Sequence, residues 1–220
     1  MYQLNWRPIF QNFDMLWQGL LMGLGLALLS LTIGCVIGMT GAFTRVYGGR
    51  WLRNAVAAYT EFVRNIPLLL IIYFVFYGFG LMGIYVFDNT WSFVLALSVY
   101  SGAYLTEVFR AGVMSVPVGV IEAGKAVGLS PMKTVRFVTI PITFRIVLPS
   151  LSNTFISMFK DTSLAAAISV PELTYAAMVI NTNTWRILEV YTTVAIMYLV
   201  ACYGLAGLLR LAERRYAMVR

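Results

Sequence analysis

Met15–Thr44 reads MLWQGLLMGLGLALLSLTIGCVIGMTGAFT, thirty residues without an Asp, Glu, Lys or Arg. A bilayer core of about 30 Å is crossed by roughly 20 apolar residues in a helix. Lipid offers backbone groups no hydrogen-bond partner, so a run of this kind resolves into a transmembrane helix. Three further runs share the property: Asn65–Phe87, Asn89–Thr106 and Val190–Leu209. A fifth is interrupted. Ile146–Phe159 is uncharged, Lys160 and Asp161 intervene, and Thr162–Pro171 is uncharged again. Its first half alone fits a buried helix; joined across the charged pair, the two halves span. The pattern predicts an all-α integral membrane fold with five transmembrane helices at about 16–44, 56–80, 91–113, 144–168 and 189–211.

Composition agrees. Of 220 residues, 60% are hydrophobic and 11% charged, with mean hydropathy +0.80, whereas soluble domains are about 45–50% apolar and 25% charged. The chain has no histidine, which removes the commonest general base and metal ligand. No catalytic, cofactor or metal site is expected, and an integral membrane enzyme is disfavoured. Cys35 and Cys202 lie in apolar runs and offer no disulfide framework. No basic segment precedes the first apolar run, which is too long for the core of a cleaved signal peptide. The aromatic lead-in with Trp6, Phe10, Phe13 and Trp17 suits the membrane interface.

The net charge of +7 is explained by where the basic residues fall. Arg45, Arg50 and Arg53 lie between the first two helices. Arg110, Lys125, Lys133, Arg136 and Arg145 lie between the third and fourth, and Arg210, Arg214, Arg215 and Arg220 form the tail. These twelve share one side, against Arg7 and Arg186 on the other. The positive-inside rule then places the N-terminus outside and the C-terminus in the cytoplasm. A basic face for nucleic acid is not needed, and no nucleic-acid partner is expected.

The cytoplasmic stretch of about 115–143 is long for such a protein. Pro117 breaks the third helix, and Ile121–Leu129 reads as a short helix rich in small residues. Ser130 is suited to an N-cap, Pro131 to the first helical position, and Pro141 is expected to close the segment. The pair of helices suits either docking to another protein or lying on lipid head groups through Lys133 and Arg136.

Glu122-Ala123-Gly124, Gly128 and Ile140-Pro141 resemble the coupling loop of ATP-binding-cassette (ABC) importer permeases, with Gly124 standing where Ala is usual. Glu61–Leu68 (EFVRNIPL), Ser101–Gly112 (SGAYLTEVFRAG), Lys160–Leu164 (KDTSL) and Glu172-Leu173 are similar to motifs of the polar amino acid subfamily. The likeness covers roughly residues 15–215. It implies a type I ABC importer permease in one transmembrane domain over 1–220, in the bacterial cytoplasmic (inner) membrane. The partners it implies are membrane lipid, a second identical or sister permease, two cytoplasmic ATPase subunits and an extracytoplasmic amino-acid-binding protein. ATP and Mg would be held by the ATPase, since this chain has no GxxxxGK[ST] phosphate cradle. Glu122, Ala123, Gly124, Gly128 and Leu129 would couple to that ATPase.

Ionisable residues inside spans are costly and mark functional candidates. Glu61 and Arg64, three residues apart on one face, form either a bracing ion pair or part of the substrate path or gate. Lys160 and Asp161 point about 100° apart on a helix, so they do not satisfy one another on one face. Asn153 and Ser157 precede Lys160 at spacings of seven and three and make a polar stripe that serves either as the translocation path or as helix–helix hydrogen bonding; Asp161 and the hydroxyl of Thr162 are counted with the path or gate. Glu107 and Arg110 are expected to brace the coupling loop, and the first helix's glycines, including Gly19, Gly23, Gly25, Gly34, Gly38 and Gly41, to permit close packing. An ion-coupled transporter or channel working without an ATPase is the alternative, disfavoured because no inverted repeat is visible.

Overall fold

A computed structural model describes residues 3–83 and 88–216; Arg220, counted above with the basic tail, lies outside them. The described residues form helices and connecting turns, with no strand among them. We number them α1 (Arg7–Gln11), α2 (Phe13–Tyr47), α3 (Arg50–Arg64), α4 (Leu68–Leu81), α5 (Asn89–Met114), α6 (Val118–Ala126), α7 (Pro131–Ile168), α8 (Leu173–Thr184) and α9 (Ile187–Tyr216). Four helices (α2, α5, α7 and α9) are long and apolar enough to cross a membrane, and α3 with α4 makes a fifth if the broken pair is one span.

Three expectations change. The second span does not start at 56 and run unbroken to 80. It is two helices, because Pro67 is extended (φ −57°, ψ 132°) and a residue before proline avoids helical geometry. The Asn65 side-chain amide donates back to the Glu61 carbonyl at 2.6 Å, finishing α3. Pro141 does not close the coupling segment. The helix passes through it because Val135–Thr139 widens into a π turn just before, which accommodates the carbonyl that the proline ring would meet and whose bond it cannot donate. Ser130 does sit at the N-cap position, but its hydroxyl makes no capping bond. A further helix, α8, fills the interval before the last span. Its N-cap is Glu172, whose carboxylate accepts from the Thr174 and Tyr175 amides, each at 2.8 Å.

The chain groups into two compact units, and α2, α5, α7 and α9 each contribute a segment to both. The first comprises Met1–Leu31, Pro67–Leu97 and Phe155–Gly207. Its core gathers Ile9, Leu16, Leu20, Phe159, Leu173 and Ile180. A Cβ on Gly19 would stand 2.8 Å from the Leu173 nitrogen, so α2 meets the start of α8 backbone to backbone. Asn5 and Gln3 tie the N-terminal lead-in down: the Asn5 amide donates to the fully buried Glu189 carboxylate at 2.8 Å. Arg186 donates to the Gln3 carbonyl at 2.7 Å.

The second unit comprises Thr32–Ile66, Ser98–Thr154 and Leu208–Arg220. Here α2 and α5 pack through small residues. A Cβ on Gly38 would fall 2.9 Å from the Leu105 carbonyl carbon and 3.0 Å from the Thr106 nitrogen, and one on Gly41 2.6 Å from the Thr106 hydroxyl. The glycine expectation holds for Gly19, Gly23, Gly34, Gly38 and Gly41 but not for Gly25, beside which nothing lies within 4 Å. Gly38→Val should therefore destabilise by about 1–3 kcal/mol through overpacking, whereas Gly25→Ala should be neutral. Melting midpoints of the two variants in detergent, read by size-exclusion fluorescence, check this.

Candidate functional site

The coupling hairpin lies wholly within the second unit. Helix α5 ends at Met114, and Pro117 occupies the N-cap of α6. Gly128 ends α6 at φ +85°, a left-handed conformation that costs other residues about 1–2 kcal/mol. Its amide donates to the Lys125 carbonyl at 3.0 Å, and the Leu129 amide to the Gly124 carbonyl at 3.1 Å, closing a Schellman motif. Gly124 is buried, with its Cβ position 3.4 Å from Val138 and 3.5 Å from Thr134. Gly124 and Leu129 thus pack inside the hairpin while Gly128, itself exposed, sets its turn, a distinction that spacing did not reveal. Glu122 and Ala123 face outward and are exposed, as are Val118, Val120 and Val127. Lys133 and Arg136 are exposed as well, with the Arg136 guanidinium 5.6 Å over the Phe137 ring.

Near the C-terminal end of α5, before the hairpin, lies a charge cluster. Glu107 accepts two bonds from Arg110, at 2.6 and 2.9 Å, as their i, i+3 spacing predicts. Arg45 joins from α2, 3.6 Å from the same carboxylate, and reaches the Thr60 hydroxyl at 3.5 Å. The carboxylate thereby ties the end of α2 to α5, a tie invisible in sequence because its ends are 62 positions apart.

Glu61 and Arg64 are both exposed and do not pair. The Arg64 guanidinium instead lies 5.2 Å over the ring of Tyr104, and the Tyr104 hydroxyl meets that of Tyr100 at 3.2 Å. This cation–π contact holds the arginine without neutralising it.

Along α7, Asn153, Ser157 and Lys160 are all exposed and recur at intervals of four and three, so they share one helix face. Asp161 is half-buried and makes no ion pair with Lys160. Thr162 leaves the row: it is fully buried, donates to the Phe159 carbonyl at 2.6 Å, and its hydroxyl lies 3.1 Å from the Cβ position of Gly23. Its neighbours all lie in the first unit.

Sequence reasoning passed over Glu172 as a site residue. Besides capping α8 it accepts from the Tyr198 hydroxyl at 2.9 Å, joining α8 to α9. Burial pushes its carboxyl up, while the amide and hydroxyl bonds pull it back down. Glu172 is thus a buried carboxylate with every visible bond committed to structure.

If Gly128 sets the hairpin turn, Gly128→Ala should cost about 1–2 kcal/mol locally. Amide exchange at Val127–Leu129 should quicken about tenfold, the spans remaining protected.

The profile of the family described as binding-protein-dependent transport system inner membrane component matches residues 30–218. The glutamine transport system permease protein GlnP of Escherichia coli (strain K12) is 36% identical over 215 residues, covering 97% of this chain and 98% of that protein. The L-cystine transport system permease protein TcyB of Bacillus subtilis (strain 168) is 37% identical over 212 residues, covering 96% and 90%. A crystal structure of an amino acid ABC transporter with histidines matches at TM-score 0.88 and 30% identity, over 97% of this chain and 100% of that one. The inward-facing MetNI methionine ABC transporter shares the fold at TM-score 0.79 and 18% identity, over 93% and 97%. The chain belongs to the family of binding-protein-dependent transport system inner membrane components, the membrane-embedded permease subunits of ABC importers.

Proposed function

We propose that this subunit passes a polar amino acid across the cytoplasmic membrane by alternating access, paired with a second copy or a sister permease. Its N-terminus is outside and its basic tail cytoplasmic, as the twelve basic residues argue. The observation that carries the reading is the exposed row Asn153, Ser157 and Lys160 with Asp161 beside it. It places both signs of charge within a span, and a zwitterion requires both. The named relatives carry glutamine and L-cystine, in keeping with an amino acid cargo. They are permeases of ABC systems, which sets aside the reading without an ATPase.

The outward-facing Glu122 and Ala123 form the docking surface for a cytoplasmic ATPase subunit, which holds the ATP and Mg. Closure of two such ATPases moves the hairpins, and the bracing of Glu107 by Arg45 and Arg110 transmits that movement to α2 and α5. The bundle opens outward to take cargo from an extracytoplasmic binding protein, and hydrolysis resets it. In the first unit Lys160 meets the cargo carboxylate and Asp161 its ammonium group; in the second, Glu61 and Arg64, the latter held over Tyr104, serve as path or gate residues.

Two experiments separate docking from path. Glu122→Lys should abolish co-purification of the ATPase partner while the permease stays monodisperse in detergent; retained, coupled ATPase overturns the docking role. Lys160→Ala should leave the complex assembled yet lower uptake by about tenfold or more, the scale of one charged hydrogen bond. Unchanged uptake kinetics overturn the path assignment.

A further inference from the structure

Two buried neighbours on α7 bracket Lys160 and Asp161. Phe159 and Thr162 are both fully buried; three residues apart, they share one side of the helix within an arc of about 60°. Lys160 and Asp161 leave from the other side, about 100° apart. The roll of α7 at Phe159 and Thr162 therefore decides where both charges point. A notch in α2 receives the buried side: a Cβ on Gly23 would stand 3.1 Å from the Thr162 hydroxyl and 3.7 Å from the Phe159 ring. From α9, the Tyr198 ring lies 5.5 Å from that of Phe159, tilted by 52°. The Tyr198 hydroxyl donates to the Glu172 carboxylate at 2.9 Å and meets the Thr174 hydroxyl at 3.2 Å. Glu172 is itself fixed by the Thr174 and Tyr175 amides. Tyr198 is thus anchored at its polar end and bears on α7 through its ring. All of these residues belong to the first unit.

We propose that Tyr198 is a positioning residue for Lys160 and Asp161: its hydroxyl, held by Glu172, fixes the ring against Phe159 and thereby the roll at which the two charges leave α7. Its bearing on transport rests on the reading of Lys160 and Asp161 as path residues. Two features point beyond simple packing. A buried carboxylate is costly, and an apolar pair of similar volume would join α8 to α9 without that cost. What the bonds add is direction, since a satisfied buried network holds its members in one arrangement. The contact they direct falls on Phe159, the residue next to Lys160, and not on a remote part of the helix.

The test needs no cargo, which separates it from the uptake of Lys160→Ala. The chain has three lysines, Lys125, Lys133 and Lys160, and all are exposed. Reductive methylation of the full-length permease in nanodiscs with carbon-13 formaldehyde gives each lysine its own NMR signal, and Lys160→Arg assigns that of Lys160. Tyr198→Phe keeps the ring and removes the hydroxyl. It should move the Lys160 signal by several line widths, while those of Lys125 and Lys133 stay within one. Glu172→Gln leaves a single acceptor oxygen where the Tyr198 hydroxyl and two amides meet the carboxylate. It should move the Lys160 signal in the same direction, and it carries the comparison if the first variant does not fold. A Lys160 signal that keeps its place overturns the proposal, even with a lowered melting midpoint, and leaves Tyr198 a packing residue. Displacement of all three signals overturns it in favour of a general loosening. A shifted Lys160 signal together with normal uptake by Lys160→Ala upholds the positioning and overturns the path reading.

Discussion

Hydrocarbon supplies no donors or acceptors, so each backbone N–H and C=O inside the membrane has to find its partner within the chain. That constraint makes every described element a helix or turn, and it makes each interruption of a helix a place needing explanation. Pro67 meets it by ending one helix and starting another, with the Asn65 amide bonding the last turn of α3. Pro141 meets it through the preceding π turn. The same constraint removes the hydrophobic effect as a force between helices, since lipid tails are as apolar as leucine. What remains is close packing. Gly34, Gly38 and Gly41 bring α2 onto α5 at distances where any Cβ would collide.

The acidic residues extend that logic from backbone to side chain. Glu189 is fully buried yet bonds the Asn5 amide and lies 3.6 Å from Arg186. Glu172 closes the start of α8 and takes the Tyr198 hydroxyl. Glu107 gathers Arg45 and Arg110. Each carboxylate ties down a different place: the N-terminal lead-in, the start of α8, and the end of α2 against α5. For Glu172 and Glu189, which are fully buried, losing one partner would strand a buried charge, a larger penalty than losing the contact itself.

How much of this was legible follows from range. The uncharged runs located α2, α5 and α9 to within a few residues, because span length depends on local composition alone. The i, i+3 bond between Glu107 and Arg110 was legible for the same reason. Arg45 on Glu107 and Asn5 on Glu189 were not, since they join residues 62 and 184 positions apart. The two prolines differ. Pro67 stands inside an apolar run long enough to span, so hydropathy drew one helix over 56–80, although a proline inside a helix is by type able to kink or break it, as it does here. Pro141 has the residue type of a terminator, and the π turn that rescues it has no sequence signature. At the candidate site, spacing grouped Asn153, Ser157 and Lys160 on one face, and all three are exposed; Thr162, two residues past Lys160, falls on the opposite side of the helix and is buried.

Exposure on a single subunit has two meanings here, and side-chain chemistry tells them apart. Ile196, Leu199 and Val200 of α9 are exposed, and lipid covers such a face without any loss of hydrogen bonds. The row of Asn153, Ser157 and Lys160 cannot be covered that way: in hydrocarbon its amide, hydroxyl and ammonium groups would go unbonded at a cost of several kcal/mol. Such a face requires water, cargo or the polar groups of another subunit. Arg64 obeys the same rule from α3, where a tyrosine face stands in for the missing counter-ion. Polarity left unsatisfied along a span is therefore what separates the α7 row from a lipid-covered face such as that of α9.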